Sequence, residues 1–127
     1  MNDSDRLRYL RIALVVFGVF AVVGIYPLTR LWPSSCAWHT GAYNDYALMV
    51  VAIYATLGVF LIRAARDPLA NLSLIWFTVW SSVVHAVIMA YQSIADGAER
   101  GHLAGDIPAL LLVAVVLALL APRTAAH

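Results

Sequence analysis

The sequence predicts an all-α protein, a four-helix transmembrane bundle whose helices are joined by antiparallel up-down connections. Three observations predict this fold class. The chain of 127 residues is 63% hydrophobic and only 12% charged, whereas a soluble domain has about 25% charged residues. The uncharged residues are concentrated in four runs, and residues that favour helix starts precede the later runs. This pattern indicates that lipid surrounds most of the folded chain.

The four runs define the spans of a single transmembrane domain, which we expect to cover residues 1–127. A membrane-spanning helix needs about 20 mainly apolar residues, with a range of about 17–25. The first two runs have this length, the third leaves room for tilt, and the fourth is short. The predicted spans are 12–29, 46–62, 69–95 and 106–122.

The first run could be mistaken for a signal peptide, because Arg6, Arg8 and Arg11 precede it. It extends from Ile12 to Thr29, which is longer than the core of about 7–15 apolar residues in a signal peptide. No clear cleavage site follows it. We therefore expect this segment to remain as the first membrane helix.

Helix-capping residues stand before the other three runs. Asn44 or Asp45 can cap the second helix, and Asp67 followed by Pro68 is typical of the start of the third. Asp106, with Pro108 two residues later, repeats the pattern before the fourth. Because the connections are short, we expect consecutive helices to be antiparallel neighbours.

The distribution of arginine predicts the orientation in the membrane. Loops and tails rich in basic residues stay in the cytoplasm. Only Arg30 and Arg100 fall on one predicted side, and the other side carries Arg6, Arg8, Arg11, Arg63, Arg66 and Arg123. We therefore expect a multi-pass protein of the cell inner membrane with both termini in the cytoplasm.

The third run carries polar residues at a helical spacing. Asn71, Thr78, His85 and Gln92 are seven residues apart and stack on one side of a helix, with Ser81 and Ser82 close to that line. Two tryptophans, Trp76 and Trp80, fall on the opposite side. A polar stripe in lipid faces other helices or a wet cavity, because hydrocarbon cannot satisfy its hydrogen bonds.

Two interpretations of this stripe stay open. Polar side chains often hydrogen-bond neighbouring membrane helices together, and the second helix offers Tyr46, Met49, Tyr54 and Thr56 as partners. Alternatively, the stripe lines a ligand cavity centred on His85, since ionisable residues inside a membrane often mark functional sites. The candidate cavity residues are His85, Ser81, Ser82, Thr78, Gln92 and Asn71.

The outward loops contain chemically reactive residues without a recognisable ligand pattern. Cys36 and His39 are three residues apart, and the third loop contains Asp96, Glu99, His102 and Asp106. A single cysteine and scattered carboxylates match no metal-ligand template, so we predict no metal and no cofactor. We expect solvated acids, an interfacial His102 and Asp106 as a helix cap. Trp32 and Trp38 fit either the headgroup layer or a lid over a cavity.

Several function classes lack the residues they need. The net charge of +1 gives no indication of nucleic-acid binding, and thiol–disulfide chemistry needs a pair of cysteines. A proton-coupled small multidrug transporter would need an acidic residue in the first run, which has none. A bis-histidine haem would need a second intramembrane histidine beside His85. A serine hydrolase built on Ser81 or Ser82 with His85 lacks a recognisable oxyanion hole.

The second half of the chain resembles a family of small bacterial four-helix integral membrane proteins of unknown function. The resemblance rests on RDPLANLSLIWFTVWSSVVHAVIMAYQ, followed by GHLAGDIPALLLVAVVLALLAPR. It implies a bacterial inner-membrane protein and assigns neither an activity nor site residues.

Two functional hypotheses follow. The first is a non-enzymatic membrane component, either an accessory subunit or a protein that holds a small apolar or lipid-like ligand near His85 in the outer half of the membrane. The alternative is a membrane enzyme or small transporter that uses His85 as an acid–base or substrate-binding residue. The expected partners are the lipid bilayer and either a larger membrane protein or further copies of the same chain.

Overall fold

The computed structural model describes residues 2–36 and 45–122, and this part of the chain contains helices and no strand. The helices are α1 (Asp3–Val19), a π-helical segment (Phe20–Gly24), α2 (Ile25–Leu31), α3 (Pro33–Cys36), α4 (Asp45–Ala64), α5 (Leu72–Ala95), a 3₁₀ segment (Gly97–Leu103) and α6 (Asp106–Leu120).

Four helical stretches are long and apolar enough to cross a membrane: Asp3–Leu31, Ala47–Ala64, Leu72–Ala95 and Gly97–Leu120. Their outward faces carry large apolar side chains such as Ile53, Phe77 and Leu119. These three side chains are 68%, 63% and 68% exposed. Lipid tails are a favourable environment for such side chains. The all-helical, four-helix transmembrane fold class is therefore confirmed.

The first span begins at Asp3 rather than at Ile12, so its first turns lie outside the uncharged run. The π-helical segment Phe20–Gly24 interrupts its regular geometry shortly before Pro27. Proline has no N–H and its ring crowds the carbonyl of the residue four positions earlier, here Val23. The helix thus changes its geometry at the level where it joins the cavity described below.

The end of α6 is held by the beginning of α1. Arg6 donates hydrogen bonds to the carbonyl oxygens of Leu119, Leu120 and Ala121 at 3.0, 3.0 and 2.8 Å. The last carbonyls of a helix have no partner within the helix, and a cation is favourable at that end. Arg6 therefore caps α6, a structural role in addition to the topological role expected from the sequence.

A close helix contact joins α1 to α4 through two glycines. A Cβ atom placed on Gly58 would lie 2.6 Å from the carbonyl oxygen of Gly18, and one placed on Gly18 would lie 2.7 Å from that of Gly58. Small residues allow membrane helices to approach closely. The backbones of α1 and α4 touch here because neither residue has a side chain.

One end of the bundle has a continuous apolar core, and we refer to it as the closed half. The core takes residues from the first, second, third and fourth spans: Leu10, Leu14, Leu61, Ala64, Ala65, Ile75, Val79, Ala114, Leu117 and Ala121. Leu10, Leu14, Ile75 and Leu117 are completely buried. Trp76 closes this end by donating a hydrogen bond to the carbonyl oxygen of Pro122 at 3.2 Å.

Consecutive spans are neighbours, as expected, at the first and last connections, but the second and third spans stand apart. The closely packed pairs are α4 with α1, α1 with α6, and α6 with α5, whereas α4 and α5 hardly touch. The fourth side of the bundle is thus open. In lipid, two apolar helix surfaces gain little by meeting each other, so a short connection does not force α4 and α5 together.

Two predicted helix starts were wrong in detail. Asp67 accepts a hydrogen bond from the backbone of Ala70 in a turn, and α5 begins only at Leu72 after Asn71. Asp106 is the first residue of α6 and not its N-cap, which is Gly105, and its carboxylate faces His102. Asn44 lies outside the described residues.

Candidate ligand-binding cavity

The open side of the bundle contains a cavity of about 940 Å³ between the first span, α4, α5 and the beginning of α6. Pockets that hold small molecules measure about 300–1,000 Å³. The cavity lies in the half of the molecule that contains α2, α3 and the 3₁₀ segment, which we refer to as the open half. It is therefore large enough for a ligand and lies opposite the apolar core.

Most of the cavity wall is apolar. The large apolar side chains include Phe17, Phe20, Ile25, Leu28, Leu48, Val51, Leu57, Leu110 and Val113. The polar or ionisable groups along the wall are fewer: Tyr26, Thr29, Arg30, Cys36, Tyr54, Thr78, Ser82, His85 and Asp106. An apolar wall with a small number of placed polar groups is typical of a small-molecule site.

A hydrogen bond between Tyr54 and His85 crosses the gap between α4 and α5. The Tyr54 hydroxyl meets Nδ1 of the imidazole, and the two rings are tilted by 34° with centroids 5.8 Å apart. Both side chains are partly buried and line the cavity. His85 therefore ties two helices together and also presents its ring to the cavity, so the two interpretations of the stripe are compatible at this residue.

The hydroxyl groups of Thr78, Ser81 and Ser82 in the middle of α5 differ in whether they have a hydrogen-bond partner. Thr78 donates to the carbonyl oxygen of Leu74 at 2.9 Å, and Ser81 donates to that of Thr78 at 3.2 Å. Such bonds to the preceding turn are common for serine and threonine in helices. Ser82 is buried and lines the cavity, yet no hydrogen bond to it occurs within residues 2–36 and 45–122.

Of the six candidate residues, the structure places Thr78, Ser82 and His85 at the cavity and the other three elsewhere. Asn71 precedes the helix and donates its amide to the Asp67 carbonyl at 2.8 Å. Gln92 is exposed. The seven-residue spacing drifts by about 20° per repeat, so three repeats carry Gln92 about 60° away from the line of Asn71.

An acid–histidine cluster adjoins the cavity at Asp106, which lines the cavity wall. Nδ1 of His102 is 2.9 and 3.0 Å from the two carboxylate oxygens of Asp106, and Nε2 is 3.1 Å from Oε2 of Glu99. His102 is completely buried and Glu99 is 9% exposed. The expectation of solvated acids was therefore wrong for Glu99, because the 3₁₀ segment folds against α5 and α3, whereas Asp96 is exposed.

The short helix α3 brings part of the first predicted outward loop to the cavity. Trp32 and Cys36 both line the cavity, so Trp32 is placed at its rim, whereas His39 and Trp38 lie outside the described residues. Burial raises the pKa of the Cys36 thiol, and the nearby Asp106 carboxylate raises it further. Within the described residues, no three His, Cys, Asp or Glu side chains form a group suited to hold a metal.

Sequence reasoning did not select Tyr54, Cys36 or Asp106 as cavity residues. Tyr54 was one of several possible partners for the stripe, and nothing in its spacing distinguishes it from Thr56, which donates to the carbonyl of Ala52 on its own helix. Cys36 ends the short helix α3 and Asp106 begins α6, and the packing of α3 and the 3₁₀ segment against each other brings both residues to the cavity.

The chain belongs to a family of unknown function (DUF6632), which matches residues 4–126. The resemblance seen in the second half of the sequence is thereby confirmed and extends to the first half. No curated protein and no solved structure matches the chain.

Proposed function

We propose that this member of the family holds an apolar or lipid-like molecule in the cavity between α4 and α5, as a non-enzymatic component of the bacterial inner membrane. One observation carries the proposal: the open side of the bundle forms a space of about 940 Å³ with an apolar wall. Its few polar groups converge from α4, α5 and the start of α6. Such a space suits a molecule that partitions into lipid and carries one polar end.

The proposed orientation puts the cavity in the outer half of the membrane. The start of α1 and the end of α6 meet at the closed half through Arg6, and the core there also contains Ala64 and Ala65, next to Arg63 and Arg66. Basic residues favour the cytoplasmic side, which supports cytoplasmic termini and an outward-facing cavity. A reporter fused to the carboxy terminus tests this orientation, and a periplasmic signal would contradict it.

Filling the cavity tests the binding function. Val50 lines the cavity and is 44% exposed, whereas Val59 on the same helix is 47% exposed and lies outside it. Mass spectrometry of protein purified from native membranes should detect a bound small molecule in the wild type and in Val59→Trp, but not in Val50→Trp. Equal recovery from both variants, or no bound molecule in the wild type, would contradict the proposal.

The same purified protein also tests whether the bound molecule is only held or is chemically converted. An accessory or carrier role predicts that the recovered molecule is unchanged after incubation with the purified protein. Conversion that is lost in His85→Gln would instead favour the enzyme hypothesis. Intact-complex masses from these samples identify a larger membrane protein or further copies of the chain as partners.

A further inference from the structure

Two polar groups of α5 face the cavity without a partner, and they indicate what kind of ligand it holds. The first is the hydroxyl of Ser82, which is 5% exposed. The other hydroxyls on the cavity wall all have hydrogen-bond partners. Thr29 donates to the Tyr26 carbonyl, and the Tyr26 hydroxyl accepts from Arg30. The Tyr54 hydroxyl is bonded to His85 and the Thr78 hydroxyl to the Leu74 carbonyl. A hydroxyl that faces a largely apolar cavity without a partner is costly when the cavity holds only apolar atoms, so a polar ligand atom is the natural partner for Ser82.

The second group is Nε2 of His85. The Tyr54 hydroxyl is hydrogen-bonded to Nδ1, and no hydrogen bond to Nε2 occurs within the described residues. We assign the Tyr54 hydroxyl as the donor and Nδ1 as the acceptor, because this tautomer pairs the hydroxyl hydrogen within the described residues. A neutral imidazole with Nδ1 as acceptor carries its hydrogen on Nε2. The free nitrogen of His85 is therefore a donor.

Ser82 and His85 are three residues apart on one helix, so their side chains lie on the same face. Both line the cavity. Two hydrogen-bond donors thus point from one wall into a largely apolar space. This arrangement matches an oxygen atom with two lone pairs and no hydrogen of its own.

We infer that the cavity recognises the carbonyl oxygen of an apolar molecule, which accepts hydrogen bonds from Ser82 Oγ and His85 Nε2. This inference rests on the proposed binding function and specifies its ligand class. Tyr54 is a positioning residue, since it sets the tautomer and orientation of His85. A hydrocarbon without an acceptor leaves both donors unsatisfied, which disfavours its binding.

Binding of 2-tridecanone and of tridecane to the purified protein tests the ligand class. The two probes have the same chain length and differ by one carbonyl oxygen. The ketone should bind about tenfold more tightly, which corresponds to about 1.4 kcal/mol. Its ¹³C-labelled carbonyl stretch should move to lower frequency on binding, as expected for an oxygen that accepts hydrogen bonds.

Two neighbouring serines provide matched variants. Ser82→Ala should weaken ketone binding about threefold, because His85 still donates to the oxygen, and should not weaken tridecane binding. Ser81→Ala should change neither, because the Ser81 hydroxyl is bonded to Thr78 and does not line the cavity. Equal ketone affinity in wild type and Ser82→Ala, with an unshifted carbonyl stretch, would overturn the inference.

The tautomer of His85 is measured by ¹⁵N NMR of histidine-labelled protein, with His85→Gln to assign the signal. The wild type should carry the hydrogen on Nε2, and Tyr54→Phe should give a mixture of both tautomers and weaker ketone binding. A wild-type hydrogen on Nδ1 would contradict the inference.

The outcomes separate the two proposals. If both probes bind with equal affinity and Val50→Trp abolishes both, the binding cavity stands and the carbonyl specificity fails. If neither probe binds, both proposals fail.

Discussion

The closed half and the open half of this bundle are held together by different interactions. In the closed half, Leu10, Leu14, Ile75 and Leu117 are completely buried against one another. In the open half, α4 and α5 stand apart, and hydrogen bonds such as Tyr54–His85 and Glu99–His102–Asp106 connect the surrounding elements. The difference teaches that a small membrane bundle can keep a cavity if polar contacts replace packing around it.

The contrast has a physical basis in the lipid environment. Lipid satisfies apolar side chains as well as a protein core does, so helices associate through close packing and hydrogen bonds. The Gly18–Gly58 contact packs α1 closely against α4. The open half lacks such a contact between α4 and α5, and directional bonds set the separation of these helices.

Removing His102 should have the largest effect, because it leaves two carboxylates in a buried place without their shared partner. We expect His102→Leu to lower the free energy of unfolding by about 3 kcal/mol. Arg100→Leu in the same 3₁₀ segment changes an exposed residue and should have little effect. Unfolding of both variants in mild detergent measures the difference, and equal stability would mean that the cluster does not hold the open half.

Shortening a leucine compares the two halves directly. Leu14 is completely buried in the closed half, whereas Leu48 lines the cavity and is 48% exposed. Leu14→Ala should lower the free energy of unfolding by about 2–3 kcal/mol, because a void remains where packing was lost. Leu48→Ala should cost far less, since its surroundings are already open. Similar losses at both sites in detergent unfolding would remove the distinction between the halves.

The cap on α6 predicts a smaller effect within the closed half. Arg6→Gln removes a cation and most of the bonds to three carbonyl oxygens, so we expect a loss of about 1.5 kcal/mol. Arg8→Gln removes the same charge from an exposed position with no hydrogen bond in the described residues. Thermal unfolding of the pair separates capping from net charge. If Arg8→Gln is equally destabilising, charge and not capping is responsible.

The alkylation rate of Cys36, which lines the cavity, is the property for which we expect the smallest effect. Since burial and Asp106 raise the pKa of its thiol, less of the reactive thiolate is present at a given pH than for a free cysteine. Alkylation by iodoacetamide should therefore be slow near neutral pH and should still accelerate above the ordinary thiol pKa. As Cys36 is the only cysteine, mass spectrometry follows the reaction without interference. A rate that reaches its plateau below pH 8 would contradict this.

The sequence was a good guide to the spans and a partial guide to the site. Hydropathy and the spacing of uncharged runs depend on local composition, which is why the four helices were predictable. Of the stripe residues, Thr78, Ser82 and His85, near the middle of α5, line the cavity. Asn71 precedes the helix, and Gln92 is exposed because a seven-residue spacing drifts around a straight helix.

By itself, the sequence determined that the chain forms four membrane-length helices and that His85 lies within one of them. Tertiary structure alone decided that α4 and α5 stay apart, that Tyr54 reaches His85, and that Glu99, His102 and Asp106 form a cluster next to the cavity. The physical reason is that length and hydropathy are properties of single segments. Helix neighbours in lipid are chosen by close contacts such as Gly18–Gly58 and by hydrogen bonds between distant residues, which no local pattern records.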